Sequence, residues 1–98
     1  MDAKILDQVT ANTVGNCKIM TTSLIMATGV KYTISNISFV PQAVVCARNR
    51  NDEEWSTTII KPMTANYVMR VNEWGIDFIT VSTGYGYGDT WYFIILGY

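Results

Sequence analysis

The chain ends in "TWYFIILGY", Thr90 to Tyr98, and no other stretch restricts its fold as much. At period two, Trp91, Phe93 and Ile95 fall on one side, and Tyr92, Ile94, Leu96 and Tyr98 fall on the other. Both faces are apolar. A strand on the surface of a sandwich should show one polar face, so this segment is expected to be covered twice, by a second sheet and by a neighbouring subunit.

The remainder of the chain has the same strand-forming character. Apolar residues rarely recur at three-and-four spacing, whereas Thr, Val, Ile, Tyr and Trp are abundant. Strands are predicted over Cys17–Ala27, Val30–Ile34, Gln42–Arg48, Thr57–Lys61, Asn66–Val71, Gly75–Thr83 and Thr90–Tyr98. Turn-forming residues separate them at Thr28-Gly29, Ser35–Pro41, Asn49–Ser56, Pro62–Ala65, Asn72–Trp74 and the glycine-rich run before the last strand. The fold class expected is all-β, a sandwich or barrel of short strands. Residues 1–15 carry no pattern and are read as an arm or connection, with the β domain over 16–98.

Composition adds a second argument for subunit contact. Hydrophobic residues make up 49% of the 98 and charged ones 15%, against roughly 25% charged in an ordinary soluble domain. A chain this short buries only about two-thirds of its unfolded surface, so a closed homo-oligomer is expected to cover the surplus. The net charge is −1 and the seven basic residues are dispersed, which argues against nucleic acid as a partner. Met1 to Ala11 has the charges of Asp2, Lys4 and Asp7 and no apolar centre, so no signal peptide is expected. No run reaches the length that spans a bilayer, and no membrane insertion is expected. Cys17 and Cys46 are too few for a disulfide framework or a zinc site and read as two buried thiols.

No histidine is present, which removes the usual general base, metal ligand and nucleophile activator. The acidic run Asp52-Glu53-Glu54 reads as a solvated loop tip, because consecutive carboxylates point in different directions and do not flank a substrate as a glycosidase pair must. Calcium at these residues would lack the spaced ligands and glycine of a dedicated loop. The chain is therefore read as a non-enzyme without cofactor or metal. The loop "NRNDEEWS", Asn49 to Ser56, is entered through Arg48 and Arg50. With Asn51 and Trp55 it offers hydrogen bonds and an aromatic face to a sugar, and Trp55 packed into the core is the competing reading.

"STGYGYGDTW", Ser82 to Trp91, resembles a phosphate loop, but such a loop opens a helix, and here a strand follows. It reads instead as a β-hairpin connection whose glycines allow positive φ and whose Tyr85 and Tyr87 project at the tip. Whether those rings meet a ligand or another subunit stays open. The Asn36-Ile37-Ser38 acceptor motif is taken as a chance match.

Two segments carry a family resemblance. In "GVKYTISNISFVPQAVVCARN", Gly29 to Asn49, a strand leads to an aromatic-x-Pro turn at Phe39-Val40-Pro41 and a β-branched strand at Ala43-Val44-Val45. In "WGIDFITVSTGYGYGDTWYFIILGY", Trp74 to Tyr98, a Gly-x-x-Phe strand at Gly75–Phe78 precedes a closing Trp-aromatic-Ile strand, Trp91–Ile94, near Gly97. This pattern resembles the carboxy-terminal domains of bacteriophage tail-fibre and baseplate proteins and the related H-type lectin domain, with one proline where the lectin group commonly has two. The resemblance implies an antiparallel β-sandwich assembled as a trimer or hexamer, of which the trimer is expected, and saccharide bound at loop tips or between subunits. The function expected is recognition of a bacterial surface glycan by a phage or prophage tail module. Its place would be the virion, or the bacterial cytoplasm before assembly. Trp55, Tyr85, Tyr87 and Asp89 would hold the sugar, assisted by Arg48, Arg50 and Asn51. The alternative is a structural or trimerisation subunit whose aromatics pack on other chains.

Overall fold

The computed structural model describes residues 17–50 and 53–98, with the backbone alone at 50, 53 and 54. The expected arm and Asn51 and Asp52 lie outside the described residues. Seven strands follow in chain order: β1 (Lys18–Met26), β2 (Tyr32–Ile34), β3 (Pro41–Arg50), β4 (Glu53–Ile60), β5 (Met69–Trp74), β6 (Ile79–Thr83) and β7 (Asp89–Gly97). They form two antiparallel sheets, one ordered β1-β7-β3-β4 and the other β2-β6-β5. The all-β expectation and the sandwich-like layering hold.

Period two explains the core. Met26 from β1, Val44 and Cys46 from β3, Ile59 from β4, and Trp91, Phe93 and Ile95 from β7 are all buried on one face of the four-stranded sheet. They meet Ile34, Met69, Val71, Ile79 and Val81 from the three-stranded sheet, with Ile37 and Phe39 sealing the end from the β2–β3 connection. At roughly 1.5–3 kcal/mol for each fully buried large aliphatic or aromatic side chain, this cluster is the main favourable term for the fold. The resemblance motif sits at one junction of it. Val40 and Tyr98 exchange backbone hydrogen bonds of 2.9 and 3.2 Å, Pro41 pairs with Gly97, and a Cβ on Gly97 would overlap the Val40 carbonyl.

Several boundaries differ from the sequence reading. β4 starts at Glu53, so Glu53, Glu54 and Trp55 belong to a strand and not to a loop tip; Arg50 pairs with Glu53 and Arg48 with Trp55 in the antiparallel β3–β4 ladder. Backbone pairing outweighs the strand-poor character of the two glutamates there. The predicted turn at Asn72–Trp74 lies inside β5, where an irregularity between Val71 and Glu73 admits Asn72, whose side-chain amide donates to Ser82 Oγ at 2.9 Å. The reversal falls at Gly75, whose N–H donates to the Phe78 carbonyl at 2.8 Å. Asn66 to Val68 are not strand: the Asn66 side-chain oxygen accepts from the N–H groups of Val68 (2.9 Å) and Met69 (3.2 Å), an Asx-type turn that delays β5.

The largest correction concerns the glycine-rich run. β6 and β7 lie in different sheets, so residues 84–88 are a crossover and not a hairpin tip. About five extended residues reach about 17 Å, enough to step between sheets packed about 10 Å apart.

Of the two thiols expected to be buried, only Cys46 is; Cys17 is half-buried, and both are free. Burial pushes the Cys46 thiol up to about 12 from 9.0. The fold holds this group protonated, so its contribution to stability is full below the unfolded value and is lost as pH rises from 9.0 towards 12. Ellman titration at pH 8 is expected to find one fast thiol, Cys17, in the native chain and a second only on denaturation; equal reactivity of both would contradict the burial.

Candidate functional site

Strand parity puts Arg48 on the core side of β3, two residues beyond Cys46, at the end where the sandwich opens. Its side chain has 0% exposure. A buried guanidinium is costly unless its donors are matched and its charge is compensated, and the surrounding elements supply a carbonyl acceptor and a nearby carboxylate. Nη1 donates to the Tyr85 carbonyl at 2.8 Å, and Nε lies 3.8 Å from Asp89 Oδ2 at the start of β7. The guanidinium carbon lies 4.3 Å from the Trp55 ring centroid, 5.7 Å from that of Tyr87 and 5.9 Å from that of Trp91. Each such cation–π contact is worth about 0.5–2 kcal/mol, more as water is excluded.

The crossover is fastened on its other side by the β1–β2 turn. The Gly88 N–H donates to the Met26 carbonyl at 2.8 Å, the Tyr87 N–H to Thr28 Oγ1 at 3.2 Å, and the Gly29 N–H to the Thr83 carbonyl at 2.9 Å. Tyr32 Oη accepts from the Ala27 N–H at 2.8 Å and holds that turn in place. Two residues use conformations that explain the glycine spacing. Gly88 has φ +72, and a Cβ on Gly86 would lie 2.6 Å from the Met26 carbonyl oxygen. Tyr87, with φ 53, also adopts the left-handed region.

These restraints collect the aromatic rings at one end of the molecule. Trp55 meets Tyr85 edge to face, with centroids 4.7 Å apart, and Tyr67 lies against Tyr85 at 5.6 Å. A side-chain hydrogen bond with Tyr67, and after it partial burial and the neighbouring Tyr67 and Tyr87 phenols, raises the Tyr85 phenol above its ordinary value, so it stays neutral near pH 7. Tyr67 is 80% exposed and Tyr87 60%. An open depression of about 250 Å³ beside Tyr67 is lined by Tyr67, Tyr85, Asn66, Arg70 and Ser82 among others.

Five of the seven residues expected to hold a ligand therefore converge: Arg48, Trp55, Tyr85, Tyr87 and Asp89. Their exposure is unequal: the Arg48 side chain is buried, and Trp55 and Tyr85 are half-buried with Tyr67 and Tyr87 flanking them. The side chain of Arg50 and all of Asn51 lie outside the described residues. Tyr67 was not expected; its signal is an aromatic immediately after a turn-forming asparagine. Asp52 is likewise outside the described residues, and among those described no three His, Cys, Asp or Glu residues gather. Nor is there, among them, a helix long and apolar enough to cross a membrane. Comparison with family models, curated proteins and solved structures finds no match to the chain.

Arg48→Met is expected to lower the unfolding free energy by about 3 kcal/mol, the low end for loss of a buried ionic partner, since Asp89 keeps some access to water. Asp89→Asn keeps the Arg48 bond to Tyr85 and should cost about 1 kcal/mol. Chemical denaturation of both variants checks this ordering, and equal losses would place the clamp's strength in the ion pair alone.

Proposed function

We propose that the chain is a non-enzymatic saccharide-recognition module of phage or prophage tail type, which binds a bacterial surface glycan at the aromatic end of the sandwich. The observation that carries this reading is the pair of exposed tyrosines, Tyr67 and Tyr87, set on half-buried Tyr85 and Trp55 around one buried arginine. A sugar ring presents C–H groups on one face and hydroxyls at its edge. Aromatic faces suit the first, and Asn66, Arg70 and Ser82 beside the open depression suit the second. Rings already fixed by the clamp lose little further freedom on binding. The tail-type setting rests on the resemblance of the Gly29–Asn49 and Trp74–Tyr98 segments.

A structural role without a ligand is favoured by a different observation, the apolar exterior of the four-stranded sheet. The two readings separate experimentally. On a glycan array, Tyr67→Ala and Tyr87→Ala should each weaken binding about tenfold, roughly the 1.4 kcal/mol that one aromatic stacking contact can supply, with folding intact. Binding unaffected by both changes, or absent from the parent protein on an array of bacterial surface glycans, would reject the saccharide site.

A further inference from the structure

The two sheets have unlike exteriors. The outer side of the three-stranded sheet carries Thr33, Arg70, Thr80 and Ser82, as expected of a solvated face. On the outer side of the four-stranded sheet the outward strand positions whose side chains are described are all uncharged, and Glu54, opposite Asn49, takes an outward register position at one corner. This side leaves Ile19, Ile25 and Ile60 at 65%, 70% and 54% exposure, with Tyr92 at 50% and Ile94 at 43% near its centre. This is the second apolar face of the closing strand.

We propose that this face is an interface between two copies of the chain, packed sheet to sheet about a two-fold axis. Three features of the face point to a second copy. Its relief is self-complementary: Tyr92 and Ile94 form a ridge along β7, while the neighbours on the β1 side, Ser23 and Thr21, are small, and on the β3 side Ala47 stands beside Tyr92 and the larger Val45 beside Ile94. The groove along the β1 side of that ridge has a volume of about 470 Å³. A two-fold axis lays each ridge in the other copy's groove, the self-matching that an isologous contact needs. The centre of the face, around Tyr92 and Ile94, offers an acidic or basic partner no charge to recognise, and two such centres desolvate without leaving an ion unpaired. The area also suffices. Four strands at about 4.8 Å and nine residues at about 3.3 Å give a plan area near 570 Å² per copy, so a pair buries more than about 1,000 Å², the threshold for a specific contact.

The pairing does not involve Tyr67 or Tyr87, so it stands or falls separately from the saccharide reading. Light scattering coupled to gel filtration should give the full chain a mass near twice its 11.0 kDa. Ile94→Glu, at the centre of the face, should convert it to a monomer, and Ser23→Arg, on the β1 side, should do the same. Far-UV circular dichroism and the protection of Cys46 should be unchanged in both variants, since neither side chain enters the core. A parent that runs as a monomer at high micromolar concentration, a trimeric mass, or a dimer that survives both substitutions would overturn the proposal.

Discussion

Burial of the Arg48 guanidinium is the interaction on which one whole end of this molecule depends. A cation in an apolar interior needs partners on several sides, and here they come from β4, β7 and the crossover between the two sheets. Meeting that need draws the Tyr85 carbonyl inward, sets Trp55 and Tyr87 against the same charge, and fixes where β7 begins. The aromatic surface is thus a by-product of solvating one arginine with protein groups. Its exposed members project from a backbone that is tied to both sheets.

The other end of the sandwich is organised by β7 alone. It is interior to the four-stranded sheet, its Trp91-Phe93-Ile95 face completes the core, and its carboxyl end locks to the chain entering β3 through Val40 and Gly97. Of the residues on which the sequence resemblance to tail-fibre and lectin-type domains rests, Phe39, Val44, Trp91 and Phe93 lie in the core and Val40, Pro41 and Gly97 at this junction, whereas Ile76, Tyr92 and Ile94 are exposed. The features proposed for recognition lie at the opposite pole of β7, around Asp89.

Much of this was readable locally. Period-two alternation assigned both faces of β7, and turn chemistry gave the number of strands but misplaced the breaks at Asn49–Ser56 and Asn72–Trp74. Parity along Val44, Cys46 and Arg48 also contained the key to the site, because an arginine in an otherwise apolar register marks a buried charge. What local pattern could not supply was sheet membership. Thr83 and Asp89 look like the two ends of a hairpin, and only the long-range pairing of β6 with β2 and of β7 with β1 and β3 makes the link a crossover. Tyr67 was missed for a related reason: its importance comes from the Asn66 turn and from Tyr85, which is distant in sequence. The acidic run misled because strand pairing, set by the partner strand, overrode the preference of glutamate for solvent-exposed loops.

The claim that Arg48 holds the aromatic end together is tested most directly by amide hydrogen exchange in the Arg48→Met protein. The account predicts that the amides of Tyr87 and Gly88, bonded to Thr28 and to Met26 across the crossover, lose protection, while those in the β3–β7 ladder around Val44 and Ile95 keep theirs. Unchanged protection at Tyr87 and Gly88 would contradict it, because the crossover would then be held by the β1–β2 turn without help from the buried charge.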